Sequence, residues 1–220
     1  MADCSILLQP AKQPVSIIMD TREKIDKKGH ILDYIDRLGI PVIRRKLDVG
    51  DWARSDDQSV VIDTKTCGLL EVYSNVITQH DRFRRECQRA KDNGVQLIVL
   101  VEENGINQLE DVQDWENPRT KQYELRRTGI IKSRSPLPLS PPVSSKRMYG
   151  IMRVMSERYG VVWDFCRHDN AGERICEILG LWRTSRGSPS PPRRSGRTWA
   201  STRIGAGSAD ASSTRTRTRR

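Results

Sequence analysis

The apolar positions of this chain fall into short blocks whose period switches between the two-residue repeat of a strand and the 3.6-residue repeat of a helix. Val15 to Met19 is a compact apolar run that reads as a buried strand, followed by a polar loop from Lys24 to Gly29. From His30 onward Ile31, Leu32, Ile35 and Leu38 recur at helical spacing, and Gly39 supplies a stop. Ile40 to Leu47 should enter a sheet. Leu47 to Thr66 then reads as two neighbouring strands joined by a hairpin turn at Asp56 to Ser59. Asp51 is expected near the end of the first strand, and Asp63, Thr64 and Lys65 near the end of the second. Leu69, Leu70, Val72, Tyr73, Val76 and Ile77 predict a helix, and Asp81 to Asn93 a second, with Phe83, Cys87 and Ala90 on one face. Val95 to Val101 is the clearest central strand, with a short helix expected from Gln108 to Trp115. Helices alternating with apolar strands argue an α/β domain.

Residues 117–143 interrupt the alternation. They are Pro-rich, and Arg119, Lys121, Arg126, Arg127, Lys132 and Arg134 stand against Glu124 alone, so the stretch reads as a loop or insertion. Periodicity resumes with Ser144 or Ser145 as an N-cap and Met148, Ile151, Met152 and Met155 as a stripe, then a strand from Val161 to Cys166 and a helix from Gly172 to Leu181. The predicted organisation is a leader (1–14), a core (15–116), a basic loop (117–143), a closing helix–strand–helix of the same domain (144–182) and a disordered Arg-rich tail (183–220).

Charge changes this picture little. The formal net charge is +10, but residues 183–220 hold ten arginines against Asp210 alone, leaving +1 for residues 1–182. A near-neutral body must hold an anionic partner through local arginines. The tail is either an arm that adds salt-dependent DNA affinity or a biased segment with no selected role. The five cysteines show no CxxC spacing and read as reduced thiols of a cytoplasmic protein. No apolar run approaches the ~20 residues of a membrane span, and residues 1–14 lack the pattern of a secretion signal.

The candidate chemistry lies in the hairpin. Side chains two apart on a strand share a face, so Asp63 and Lys65 project together, with Asp51 on the adjoining strand. An acid facing an acid-x-lysine suits metal-dependent phosphodiester hydrolysis, where a divalent cation activates water and offsets charge on the phosphate. Mg²⁺ takes one or two carboxylates, which Asp51 and Asp63 supply, and Lys65 is suited to orient or polarise the water. Asp20 and Glu23 at the end of the first strand are placed beside them, and Arg22 is suited to a phosphate. His80 reads as incidental, Trp52 as packing beside the site with stacking on a base as the alternative, and Glu86 as a helical partner of Arg82.

Asp20-Thr21-Arg22-Glu23, Arg45 to Asp51 and Val61 to Lys65 together resemble the nuclease domain of XPF-type structure-specific endonucleases, within the PD-(D/E)xK superfamily. The resemblance runs from Val15 to Val101 and more loosely through residues 159–179, and compact phage and prophage nucleases of the family are similar in layout. The family pattern is D-x-R-E, then G-D, then E-R-K-x-x-x-D. Asp20, Arg22, Glu23, Gly50, Asp51 and Lys65 match it; Asp63 replaces the Glu, Thr64 the Arg, and Leu69 the last acid, with only Glu71 nearby. The resemblance implies a restriction-endonuclease-like fold, a mixed central sheet flanked by helices. It implies Mg²⁺, or Mn²⁺, at Asp51, Asp63 and Asp20, and a catalytic set completed by Lys65, Glu23 and Arg22. It also implies DNA contacts from Arg45, Arg82 and Arg85, a branched or flapped DNA substrate in repair or recombination, and a homodimer. No tandem helix-hairpin-helix pair follows the core. A second reading is a catalytically inactive DNA-binding or scaffold partner, favoured by Thr64 and opposed by the retention of Asp51, Asp63 and Lys65.

Overall fold

The computed structural model describes residues 15–133, 135–138 and 140–181, so the leader 1–14 and the tail 183–220 lie outside the described residues. The first apolar run becomes β1 (Ile17–Met19), with all three side chains buried. It is followed by α1 (Gly29–Arg37), β2 (Val42–Arg44), β3 (Trp52–Arg54) and β4 (Val60–Lys65). Next come α2 (Gly68–Tyr73), α3 (His80–Asp92), β5 (Gln96–Glu102) and α4 (Pro118–Arg127). The described chain closes with α5 (Ser145–Tyr159), β6 (Val162–Cys166) and α6 (Ala171–Ile178). The strands form one sheet in the order β2-β1-β3-β4-β5-β6. β3 runs antiparallel to both β1 and β4, whereas β1–β2, β4–β5 and β5–β6 are parallel. This is the mixed sheet flanked by helices that the apolar pattern and the resemblance imply.

Helices cover both faces. On one, Val61, Val99 and Val101 pack with Leu69, Val72, Phe83, Cys87, Met148, Met152 and Met155 from α2, α3 and α5. On the other, Ile17, Met19, Ile62 and Leu100 pack with Ile31 and Ile35 of α1 and Ile175 and Cys176 of α6. Strands buried on both faces carry continuous rather than alternating apolar runs, as β5 does. Alternation along β4 then turns Asp63 and Lys65 to the α2/α3 face and Thr64 to the α1/α6 face.

The structure corrects several boundaries. Residues 118–127 are helical, not a loop: the Asn117 side chain accepts a hydrogen bond from the Arg119 backbone N–H, and Pro118 takes the first helical position, where its missing N–H costs nothing. Asp51 does not end a strand; it directly precedes β3, so it meets the end of β4 across the antiparallel pair. The helix after β4 continues as a π turn over Ser74–Thr78, the segment before α5 that reads as a helix is a 3₁₀ turn over Leu109–Asp114, and the loop before α1 holds a 3₁₀ turn at Ile25–Lys27. Among the described residues no helix is long and apolar enough to cross a membrane.

α1 and α6 approach so closely that a Cβ on Gly172 would lie 2.5 Å from Tyr34 Cβ and 3.1 Å from the Ile31 carbonyl oxygen. Gly172→Ala should therefore overpack this contact and cost about 1–3 kcal/mol, read as a lower urea midpoint at an unchanged slope. An unchanged midpoint would show that the two helices separate freely.

Candidate active site

The site begins with a turn that only glycine forms readily. Gly50 sits at φ +70°, and an added Cβ would meet the Ile62 carbonyl oxygen at 3.0 Å. The next residue is then clamped on both sides: the Asp51 N–H donates to Ile62 O at 2.7 Å, and its carbonyl accepts from the Asp20 N–H at 2.8 Å. Its carboxylate Oδ2 accepts from the Thr64 N–H at 2.8 Å and the Thr64 hydroxyl at 2.7 Å. Beside it, the buried Lys65 Nζ donates to Asp63 Oδ1 at 2.8 Å and lies 2.7 Å from Oδ2. That second oxygen is buried and makes no hydrogen bond beyond this ion pair. Asp51, Asp63 and Lys65 are therefore brought together.

Two further charged groups complete the site, and both escape the sequence patterns. Lys28, immediately before α1, is buried; its Nζ donates to Thr64 Oγ1 at 2.5 Å and lies 3.2 Å from Glu23 Oε2 and 3.8 Å from Asp51 Oδ2. Nothing in the run Lys24, Lys27, Lys28 marks one lysine as buried. Glu86 of α3 accepts from the Gly50 N–H at 3.3 Å rather than pairing with Arg82, whose guanidinium goes to Gln79 at 3.1 Å. Its place next to Cys87, at the border of the buried face, is the signal that could have found it. Trp52 is fully buried and donates to Thr64 Oγ1 at 3.3 Å, so it packs under the site and is closed to base stacking.

Electrostatics follow from this crowding. Burial, then the Asp63 charge, pushes the Asp51 carboxyl up to about 8, with Lys28 pulling the other way. Burial and Asp63 likewise raise Glu86. Burial opposes the charge on Lys65, but Asp63 and Asp51 outweigh it and raise its pKa, so the side chain stays an ammonium. Hard carboxylate oxygens that repel one another fit a divalent cation such as Mg²⁺. Asp51 and Asp63 are the residues that would hold it.

The remaining predicted residues take other places. Asp20 is buried, and its four lone-pair positions are filled: Oδ1 accepts from the Arg22 N–H at 2.6 Å and Nε at 2.9 Å, Oδ2 from Arg22 Nη2 and the Leu47 N–H, both at 2.8 Å. The metal role expected of Asp20 thus gives way to anchoring the loop at Leu47. Arg22 is committed to Asp20 and to the Leu47 carbonyl, although its side chain is 58% exposed and Nη1 takes no part in these bonds. Glu23 faces Lys28, and Glu71 accepts from the Cys67 N–H at 3.2 Å, while Leu69 is core. Arg45, Arg82 and Arg85 are exposed. Arg82, Arg85 and Arg89 share the stripe of α3 that carries Glu86. His80 contacts its own helix turn through Val76 O at 3.0 Å.

The family model of the ERCC4 domain matches residues 19–167. Among solved structures, XPF from Aeropyrum pernix is similar at 14% identity with a TM-score of 0.48, covering 76% of this chain and 64% of that chain. XPF from Aeropyrum pernix in complex with DNA is similar at 14% identity with a TM-score of 0.47 and the same coverage, 76% and 64%. This chain thus spans less than two thirds of the length of those solved chains. No curated protein matches it.

The Asp20 anchor carries a pH signature. Burial opposes its charge, but the bonds from Arg22 and Leu47 hold its pKa below the ordinary 3.8. An acid with a depressed folded pKa contributes stability that is present above the unfolded value and lost as pH falls through the folded one. Asp20→Asn should therefore cost roughly 2–3 kcal/mol at neutral pH, and the gap to the unchanged protein should narrow as pH falls through the acid range. Urea unfolding across that range checks it; a gap that stays constant contradicts the assignment.

Proposed function

The chain belongs to the ERCC4 domain family, a family of DNA nucleases, and from that premise we propose that it is a metal-dependent DNA endonuclease cutting phosphodiester bonds in branched or flapped DNA. The observation that carries this reading is the convergence of the Asp51 and Asp63 carboxylates beside an ammonium at Lys65. Mg²⁺, or Mn²⁺, bound there would lower the pKa of water and offset the charge of the scissile phosphate.

Asp51 and Asp63 hold the cation. Thr64 directs both of its bonds to one oxygen of Asp51 and leaves the other outside them. Lys65 has no lone pair to offer while it stays charged, so its role is to donate hydrogen bonds that orient the attacking oxygen and stabilise the phosphate in the transition state. Lys28, paired with Glu23, attracts the Asp51 oxygen that Thr64 bonds and offsets the repulsion from Glu23. The largely exposed Arg22 keeps Nη1 outside its bonds to Asp20 and Leu47, free for a phosphate. The arginine stripe of α3 starts beside Glu86 and therefore beside the carboxylates, and with Arg45 it supplies the DNA-holding charge that the near-neutral body lacks. A homodimer and a role in repair or recombination rest on family membership alone.

In nicking assays on flap and four-way DNA, Asp51→Asn and Lys65→Ala should each lower the rate by at least about a hundredfold. EDTA should abolish cutting while leaving binding intact. Full activity in both variants would overturn the mechanism, and binding with no cutting in Mg²⁺ would support an inactive partner instead.

Arg82→Ala and Arg85→Ala should each reduce the slope of log affinity against log salt by about one. Unchanged slopes would remove α3 from the DNA face.

A further inference from the structure

A second cluster of donor atoms lies at the carboxyl end of the sheet and takes no part in the nuclease reading. Glu102 is the last residue of β5 and pairs with Cys166, the last of β6. His168 follows in the 3₁₀ turn that leads into α6, and His30 lies in the first turn of α1. Because α1 and α6 cover the same face, the three residues meet although they are far apart in sequence. Glu102 Oε2 lies 3.1 Å from His30 Nε2 and 2.5 Å from His168 Nδ1. The two imidazole rings stack with centroids 3.7 Å apart, and one donor atom from each residue falls within 4.8 Å of the others.

Hydrogen bonding alone accounts poorly for this group. The Glu102 side chain is fully buried, yet Oε1 has no hydrogen-bond partner, while both histidines turn to the other oxygen. A fully buried carboxylate that faces only two imidazoles is desolvated, a cost that a bound cation would offset. Two imidazole nitrogens and one carboxylate oxygen form a donor set for a borderline cation and not for Mg²⁺, which prefers oxygen alone. We propose that His30, Glu102 and His168 form a second metal site, selective for Zn²⁺, separate from the Asp51–Asp63 site.

The geometry suits a three-ligand zinc. Bonds of about 2.0–2.1 Å in a tetrahedron place neighbouring donors roughly 3.4 Å apart, near the separation of His30 and Glu102. The shorter contact of His168 must open, and this side chain, 64% exposed on a short turn, has room to move. Its exposure also leaves the fourth position to water. Zn²⁺ would tie the first turn of α1, the end of β5 and the entry to α6 into one unit. Lys28 lies two residues before His30, so the same clamp would steady the ammonium beside Asp51.

Full-length protein freed of metal by a chelator should bind one Zn²⁺ per chain at this site in calorimetric titration, with a rise in melting temperature that Mg²⁺ does not reproduce. Co²⁺ in its place should give the visible bands of a tetrahedral site. His168→Ala should lower the Zn²⁺ affinity at least about a hundredfold and abolish the temperature shift and the bands. Without metal this variant also loses the bond to the buried Glu102, so its own metal-free melting temperature is the reference for its Zn²⁺ shift. Glu102→Gln and His30→Ala should also lose the bands, and Asp51→Asn should keep them. The proposal fails if the unchanged protein binds no Zn²⁺ or if His168→Ala binds it equally well. It also fails if Asp51→Asn, rather than His168→Ala, removes the bands, which would put the zinc among the carboxylates. None of these readouts depends on DNA cleavage, so the nuclease reading stands or falls separately.

Discussion

Everything at this site depends on the register between β3 and β4. The backbone hydrogen bonds of Asp51 to Ile62 and Asp20, and the two hydrogen bonds its carboxylate accepts from Thr64, lock that register at the one point where the chemistry sits. A slip of one residue would reverse which face each β4 side chain meets, sending Asp63 and Lys65 to the α1/α6 face. Gly50 makes the lock possible by turning the chain at close range over Ile62. Local backbone geometry thus fixes the acid pair before any long-range charge effect enters.

The charges then explain why the arrangement is stable only in part. Around Asp51 lie the carboxylates of Asp63, Glu23 and Glu86, against the ammoniums of Lys28 and Lys65. Arg89 also draws on Glu86 and Arg22 on Asp51, yet the buried carboxylates stay crowded enough to suit a divalent ion. The raised pKa values of Asp51 and Glu86 come first from burial and second from the neighbouring Asp63 charge. Burial amplifies the effect because the surrounding protein screens charge less than water.

Much of the fold was legible because burial imposes periodicity. The apolar runs of β1 and β5 and the methionine stripe of α5 all occupy the places their spacing indicates. α4 was missed because it buries no residue and so has no stripe to read; its signal is the Asn117–Pro118 start. The acid–x–lysine of β4 was readable from alternation alone. Lys28, Glu86 and the His30–Glu102–His168 group were not, since their partners come from distant segments and no local spacing encodes them. Asp20 shows the opposite failure: its position in a motif suggested a ligand, but only the fold reveals that Arg22 and Leu47 occupy its oxygens.

Thr64 stands where the XPF-type pattern has arginine, and Lys28 brings a cation to the same spot from outside the sheet. The two residues therefore constitute a single choice made at two addresses. Placing arginine at 64 while Lys28 remains would bury two like charges together, and losing Lys28 while threonine remains would leave Glu23 without its ion pair. Neither half-step is neutral. The identities at 28 and 64 are therefore energetically coupled, and a change at one is tolerated only with a matching change at the other.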